Sequence, residues 1–189
     1  MSYKDNKYFK KYCNKHKDIK RTIRDLETFC AEENCDFYVF GSILREDFYY
    51  KQSDCDLIIA CNDIDRTIAR FEYYIQTNKN IHVLGLTEKR LYSVQNITQI
   101  KDPSAVALLL KININGLPLD INFLKKKDYT TPGCINIIQP TNYLFIMFIS
   151  IIKILYYKIN IIPYTLYINM KKFINNYVGY PRYKFIKEI

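Results

Sequence analysis

The chain contains no tryptophan, only two histidines and no cysteines in a Cys-x-x-Cys arrangement. Because zinc sites are built mainly from closely spaced cysteine and histidine ligands, this scarcity argues against a zinc site. The chain also opens without an apolar segment, since MSYKDNKYFKKYCNKHKDIK is polar and basic, so we expect no secretory signal peptide. A cytoplasmic location, with the six cysteines as reduced thiols, is the resulting expectation.

A long uninterrupted apolar run is missing as well. Residues 129–152 carry no charge, but Pro132 and Pro140 interrupt the first half of this stretch. The apolar run that follows ends at Lys153 after about ten residues, whereas a helix that spans a bilayer needs roughly 20. We therefore expect a buried helix and no membrane partner, with a membrane-associated hairpin that includes residues 161–168 as the alternative.

The chain does contain enough apolar sequence for a folded domain, together with an excess of positive charge. Hydrophobic residues make up 49% of the 189 residues and charged residues 25%, which is too apolar for a disordered chain. The net charge is +9, and nine lysines or arginines fall between Lys4 and Arg24. Such a field attracts polyanions, so nucleic acid and nucleoside triphosphates are the expected partners. Solvated surface charge is the alternative for any single basic cluster.

The spacing of apolar residues predicts alternating helices and strands. The pair Asn115-Gly116 between two apolar runs predicts a tight β-hairpin, and Pro163 separates the last two helices. We expect strands at 36–40, 54–60, 80–86, 105–113 and 117–124, and helices at 18–33, after a cap at Asn62 or Asp63, from about 140 to 157 and after Pro163.

This order predicts an α/β (α+β) fold. We expect a short mixed sheet with helices on one face and an acidic site on the other, followed by a small helical C-terminal part. The chain divides on this interpretation into a basic N-terminal arm at 1–17, a catalytic domain at 18–127 and a helical region at 128–189.

Three carboxylates in two predicted strands form the candidate site. Asp54 and Asp56 open the strand at 54–60, and side chains at i and i+2 of a strand point to the same face. Asp120 lies in the alternating segment 117–123, on the face opposite to its apolar neighbours. If the two strands are adjacent, the three acids converge into a cluster that suits hard divalent cations.

Before these acids, the predicted strand 36–40 ends in Gly41-Ser42, and a loop of eleven residues leads to Asp54. The arrangement resembles the DNA polymerase beta-like nucleotidyltransferase superfamily, most of all its minimal, antibiotic-modifying and RNA-tailing (poly(A)-polymerase-like) branches. The shared pattern is a strand that ends in Gly-Ser, a loop, an Asp-x-Asp motif, and a later single Asp in an apolar strand. A lone Asp-x-Asp would be weak evidence, but here all three parts occur together within roughly residues 20–127. The residues that carry the resemblance are Phe40, Gly41, Ser42, Arg45, Ser53, Asp54, Asp56, Leu57, Leu119, Asp120 and Ile121.

This resemblance implies a nucleotidyltransferase fold and a metal-dependent enzyme that moves a nucleoside monophosphate from a nucleoside triphosphate to an acceptor hydroxyl and releases pyrophosphate. Asp54 and Asp56 would ligate two Mg²⁺ ions, with Mn²⁺ as a substitute. Asp120 would hold the second ion and help to deprotonate the acceptor hydroxyl. Each acid also has a plainer interpretation: a turn cap for Asp54, a surface ion pair for Asp56 and simple solvation for Asp120.

The resemblance also assigns nucleotide-binding roles to three residues of the loop. Gly41 and Ser42 would hold the β- and γ-phosphates, and Arg45 would support the leaving pyrophosphate, with a surface salt bridge as its alternative.

The basic ends favour an RNA 3′ end as acceptor over an antibiotic or a protein side chain. A non-catalytic nucleic-acid-binding or regulatory module on the same fold is the competing hypothesis, and a protein partner or a second copy of the chain is a further expectation.

Overall fold

The computed structural model of the chain describes residues 3–93, 106–126 and 143–177. Within these ranges it contains five strands and five α-helices. The strands are β1 (Asp36–Phe40), β2 (Cys55–Cys61), β3 (Val83–Ser93), β4 (Val106–Ile114) and β5 (Leu117–Lys125). The helices are α1 (Lys7–Lys15), α2 (Lys17–Glu32), α3 (Ile64–Thr77), α4 (Tyr143–Lys153) with a π-helical extension over Ile154–Lys158, and α5 (Tyr164–Tyr177).

The strands form one mixed sheet in the order β1-β2-β5-β4-β3. β2 and β5 run parallel in its interior, and the other neighbouring pairs are antiparallel. The β4–β5 hairpin turns at Asn115 and Gly116, whose φ angles of 56° and 81° are both left-handed, as the favoured two-residue hairpin turn requires. β5, the second strand of this hairpin, lies beside β2.

One face of the sheet carries the main hydrophobic core and the three N-terminal helices. Alternate residues of β2, β4 and β5 face these helices, because side chains of a strand alternate between its two faces. Phe71 of α3 packs edge-on against Phe29 of α2 and Phe123 of β5, with ring centroids 5.2 and 5.6 Å apart. Burying apolar surface contributes about 25 cal/mol per Å², so this layer holds the helices on the sheet.

The described part of the N-terminal segment, residues 3–17, includes helix α1. The Asn6 side chain accepts hydrogen bonds from the backbone N–H groups of Tyr8 and Phe9, which caps α1. Phe9 and Cys13 of α1 are then buried in the same core as the sheet. The first helix is therefore part of the folded domain, and its lysines lie on the outer side of that domain.

The C-terminal helices α4 and α5 pack on each other and dock on the loop between β1 and β2. Lys153 donates hydrogen bonds to the backbone carbonyl of Asp47 at 3.0 Å and to its carboxylate at 3.1 Å. The Tyr157 hydroxyl donates to the backbone carbonyl of Gln52 at 3.1 Å. The small core between the two helices contains Phe145, Ile149, Ile152, Tyr167 and Ile174.

The predicted α/β fold with a mixed sheet and a helical C-terminal part is confirmed. The strand expected at 54–60 begins one residue later, at Cys55, so Asp54 precedes it. The strand expected at 80–86 begins later, at Val83, because Asn78 turns the chain first by accepting a hydrogen bond from the backbone N–H of Ile81 at 3.0 Å. The helix start expected near 140 and the lysines and arginines beyond 177 lie outside the described residues.

Two absences can be stated for the described part of the chain. No helix there combines the length and the apolar composition that crossing a bilayer requires. None of the five cysteines in those ranges is in a disulfide, and they are Cys13, Cys30, Cys35, Cys55 and Cys61. Cys134 lies outside the described residues.

Candidate functional site

Asp56 and Asp120 lie side by side on the two parallel strands in the interior of the sheet. The register of β2 and β5 pairs Asp56 directly with Asp120. Residues at the same level of neighbouring strands project from the same face, and that face is the one opposite to the main core. Asp54 lies two positions before Asp56, at the exposed entrance to β2. Asp56 and Asp120 thus lie on one face of the sheet, and Asp54 precedes β2 at the same end.

The turn after β1 is packed against the Asp56 carboxylate. Phe40, the last residue of β1, pairs with Asp56 in the antiparallel register, and Gly41 follows with a left-handed φ of 76°. A Cβ atom at Gly41 would lie 1.9 Å from Oδ2 of Asp56, so no other residue fits without displacing the acid. Ser42 is buried in the same turn and its carbonyl accepts a hydrogen bond from the backbone N–H of Arg45 at 2.9 Å. The Gly-Ser pair and the acids therefore form one site.

The three carboxylates repel one another electrostatically. Burial, together with the charges of Asp120 and Asp54, raises the pKa of Asp56 to about 7. Burial and the charge of Asp54 also raise the pKa of Asp120, against the opposing effect of Lys111. A group of acids that resists ionisation in this way gains most from a nearby cation.

Lys111 supplies one such cation from β4. Its ammonium lies 3.0 Å from Oδ2 of Asp120, its register partner on β5. Burial lowers the pKa of Lys111, but the charge and the hydrogen bond of Asp120 and the charge of Asp54 leave it raised overall. In this state of the chain, Lys111 is the counter-ion of Asp120.

A second group of cations reaches the site from the C-terminal helices. Lys171 of α5 is half-buried, and its charge lowers the pKa of both Asp56 and Asp120. The charge of Lys153 of α4 also acts on Asp56. Burial raises the pKa values of two aromatic residues, Tyr157 and Tyr167. The charge of Asp54 acts in the same direction, so both rings lie near this acid. The C-terminal part therefore faces the acids with positive and aromatic side chains.

Arg45, which the sequence analysis assigns to pyrophosphate, is engaged with Asp47. Its guanidinium donates two hydrogen bonds to the Asp47 carboxylate, at 2.8 and 3.0 Å. Asp47 is 4% exposed and also accepts from Lys153, which is 5% exposed. Burial raises the pKa of Asp47, but the two cations overcome this effect and lower it overall. A phosphate role for Arg45 stays a prediction, and it requires the guanidinium to exchange Asp47 for phosphate.

The donor chemistry of the site fits a hard divalent cation. Asp54, Asp56 and Asp120 offer carboxylate oxygens, the ligands that Mg²⁺ prefers, and a cation would offset the repulsion that raises the pKa of Asp56. Among the described residues, however, no three acidic, histidine or cysteine side chains are already arranged around a common metal position. Binding would therefore require Asp54, which is exposed, to turn toward the other acids and Asp120 to release Lys111.

Sequence reasoning missed four charged residues of this region: Asp47, Lys111, Lys153 and Lys171. A signal for Lys111 was present, because it stands four residues before Asn115 while Asp120 stands four residues after Gly116. A two-residue hairpin turn pairs such positions. The other three depend on contacts between the loop, α4 and α5 that no local pattern encodes.

The candidate site combines acidic side chains, a glycine turn and cationic side chains. Carboxylates from two parallel strands meet a glycine turn, and cations approach from β4, α4 and α5. Carboxylate oxygens are the ligands that hard divalent cations prefer, and amines are suited to phosphate oxygens. Neither a comparison with protein-family models nor a comparison with curated proteins gives a match to this chain.

Proposed function

We propose that the chain is a metal-dependent nucleotidyltransferase, which transfers a nucleoside monophosphate from a nucleoside triphosphate to an acceptor hydroxyl. The observation that carries the proposal is the direct pairing of Asp56 with Asp120 on parallel strands, with Gly41 in contact with the Asp56 carboxylate. This juxtaposition comes from three separate parts of the chain. It matches what the resemblance to the DNA polymerase beta-like superfamily requires of these residues.

Asp54, Asp56 and Asp120 would hold two Mg²⁺ ions, for which Mn²⁺ is a substitute. The bound cations would neutralise charge on the triphosphate and lower the pKa of the acceptor hydroxyl. The acceptor oxygen bonds to the α-phosphorus as the bond from that phosphorus to the bridging oxygen breaks, and pyrophosphate leaves with the bonding electrons. The hydroxyl proton would pass to Asp120, the role that the resemblance implies for this residue.

The remaining residues of the site orient the triphosphate. The backbone around Gly41 and Ser42 can approach phosphate oxygens closely because the glycine has no side chain. Lys171 on α5 would contact the phosphates, since its charge already acts on the acids that hold the cations. The Arg45–Asp47–Lys153 group would fix the loop that leads from Ser42 to Asp54. Catalysis then comes from positioning and charge neutralisation.

The favoured acceptor is the 3′ end of an RNA. The net charge of +9, with nine lysines or arginines between Lys4 and Arg24, would attract a polyanionic acceptor. A small-molecule or protein hydroxyl is the other acceptor class, and it has no need of this charge. A protein partner or a second copy of the chain would add acceptor contacts without altering the acids.

A transfer assay tests the proposal. The chain is incubated with each labelled nucleoside triphosphate, Mg²⁺ or Mn²⁺ and a short RNA, and extended or labelled products are separated on a denaturing gel. We expect Asp56→Asn and Asp120→Asn each to reduce the rate by roughly 100-fold or more. Asp65→Asn is the matched control, because Asp65 is an exposed acid in the first turn of α3. Extension at the wild-type rate by the Asp56→Asn variant would defeat the assigned roles.

A non-catalytic nucleotide-binding or RNA-binding module is the second candidate. The ion pair between Lys111 and Asp120 favours it, because this pair neutralises Asp120 without a metal. The two candidates differ in their response to divalent cations. A binding module holds nucleotide or RNA equally well with Mg²⁺ and with a chelator, whereas the transferase gains nucleotide affinity with Mg²⁺.

A further inference from the structure

Two cysteines meet at the end of β1 and β2 that lies away from the acids. In the antiparallel register of these strands, Asp36 pairs with Ala60, and continuing this register by one residue places Cys35, which precedes β1, opposite Cys61. The two thiols lie close enough for each to shift the pKa of the other, while the Cys35 thiol donates to the Glu33 carbonyl at 3.5 Å. Opposed residues of antiparallel strands have Cα atoms about 4.5–5.5 Å apart, within the roughly 4.4–6.8 Å that a disulfide spans. A register continued by one residue would bring the two Cα atoms into this range.

The surroundings distinguish this pair from the other thiols. Cys35 is half-exposed, so one member of the pair is open to solvent, while Cys61 is 1% exposed and donates to the Leu124 carbonyl at 3.5 Å. The Cys35 thiol and the Thr67 hydroxyl outweigh burial and leave the pKa of Cys61 lowered to about 7, whereas the same contact and burial raise the pKa of Cys35. Burial, by contrast, raises the pKa of Cys30, the neighbouring thiol, to about 12. Reactivity toward oxidants follows the thiolate, so the pair is the reactive site here.

We propose that Cys35 and Cys61 form a site of reversible thiol oxidation, at which a peroxide closes a cross-strand disulfide between β1 and β2. The site lies five residues beyond Asp56 along β2, a separation of about 16 Å at the rise of a strand. The oxidation chemistry uses none of the carboxylates. It would therefore take place whether or not the chain transfers nucleotides.

The reaction balances with one molecule of hydrogen peroxide. The thiolate of the pair attacks one peroxide oxygen, the O–O bond breaks, and the leaving hydroxide takes up a proton to become water. The resulting sulfenic acid is then attacked at sulfur by the second thiol. The S–O bond breaks, and its oxygen leaves as water with the second thiol's proton. Two thiols are oxidised to one disulfide while peroxide is reduced to two waters, and a dithiol reductant reverses the change.

Intact-mass measurement on the full chain tests the proposal. The reduced chain is treated with a small excess of hydrogen peroxide, its remaining thiols are alkylated, and its mass is measured with and without reductant. We expect the loss of two hydrogens, two fewer alkylated thiols, and full recovery after reduction. Closing the loop between Cys35 and Cys61 with a disulfide is also expected to raise the Tm by roughly 5–10 °C.

Peptide mapping identifies the partners. Trypsin leaves Cys30 together with Cys35 and Cys55 together with Cys61, so additional cleavage at acidic residues is needed to separate them. The proposal predicts a linkage between Cys35 and Cys61 alone. A disulfide that contains Cys30, Cys55 or Cys134 in place of either would overturn it.

Single variants complete the test. Cys35→Ser and Cys61→Ser should each abolish the linkage, and Cys30→Ser, a buried neighbour of the pair, should leave it intact. The wild-type mass decides the question even if one of these variants folds poorly. Two free, alkylated thiols at 35 and 61 after peroxide treatment that oxidises other cysteines would refute the site.

Discussion

Gly41 is the residue on which the geometry of the acidic site depends most closely. Its φ of 76° is in the left-handed region, and a Cβ atom there would lie 1.9 Å from Oδ2 of Asp56. We predict that Gly41→Ala lowers the free energy of unfolding by about 2 kcal/mol or more, because strain and a steric clash act together. Urea unfolding with circular dichroism measures the change, and the transfer rate of the same variant should fall with it.

Gly85→Ala provides the matched control. Gly85 lies in β3, its φ is not left-handed, and a Cβ atom there would meet nothing within 4 Å. Its replacement should change the free energy of unfolding by no more than about 0.5 kcal/mol. Equal effects of the two substitutions would show that the contact between Gly41 and Asp56 is unimportant.

We expect the ionised carboxylate of Asp56 to lower the free energy of unfolding of the chain. Its folded pKa of about 7 lies above the value of about 4 for a free aspartate, so its ionisation destabilises the folded chain as the pH rises between these values. With a chelator present, Asp56→Asn should therefore be more stable than wild type at pH 8, by roughly 2 kcal/mol after solvent screening. The gain should shrink toward pH 5, where wild-type Asp56 holds its proton.

Denaturant unfolding at several pH values checks this expectation. Asp65→Asn, at an exposed position on α3, should show no comparable dependence on pH. An Asp56→Asn variant that is less stable than wild type at pH 8 would mean that Asp56 is satisfied by a partner and is not repelled by its neighbours.

At the scale of elements, the contact between Lys153 and Asp47 joins helix α4 to the loop that follows Ser42. The two side chains are almost fully buried and 3.1 Å apart. Lys153→Met leaves Asp47 with Arg45 as its cation, and we predict a loss of about 2 kcal/mol or more in the free energy of unfolding. Lys158→Met, at an exposed position of the same segment, should cost about 0.5 kcal/mol or less.

A double variant separates this pair from general damage to the helix. Adding Asp47→Asn to Lys153→Met removes the buried charge that the single change leaves behind, and part of the lost stability should return. Thermal unfolding of the four proteins completes the cycle. If the two effects simply add, the pair does not couple the C-terminal helices to the loop.

Some of the contacts between strands could be predicted from the sequence. The hairpin was predictable because Asn115 and Gly116 both adopt the left-handed conformations that such a turn needs. The same turn fixes Lys111 opposite Asp120, a pairing that the sequence contains and that was overlooked. The predicted convergence of the three acids assumed that β2 and β5 are neighbours. This could only be assumed, because no local signal selects which strand becomes the neighbour of another.

The contacts of the C-terminal helices lie beyond what local patterns contain. Lys153 and Asp47 are 106 positions apart in the chain, and nothing near either residue indicates the other. Lys153 was visible only as the charge that ends an apolar run. Arg45 was expected to contact phosphate, but in the folded chain it pairs with Asp47. A buried carboxylate needs cationic partners to offset its loss of solvation.

At the scale of the whole molecule, the net charge of +9 makes a prediction about the acceptor. If the acceptor is RNA, its KM should rise roughly 10-fold or more as salt increases from about 50 to about 200 mM, because binding releases counterions. Steady-state transfer rates at fixed nucleoside triphosphate measure the effect. An acceptor KM that does not respond to salt would point to a small uncharged acceptor.

Titration of each nucleoside triphosphate by calorimetry, with Mg²⁺ and with a chelator, tests the central claim most directly. In the wild-type chain, Mg²⁺ should strengthen the binding of at least one nucleotide by roughly 10-fold or more, because the paired carboxylates and the phosphates share the cations. The Asp56→Asn, Asp120→Asn double variant should lose this dependence, and Asp65→Asn should keep it. Nucleotide binding that is the same with and without Mg²⁺ in the wild-type chain would contradict the assignment of these acids to a metal-dependent site.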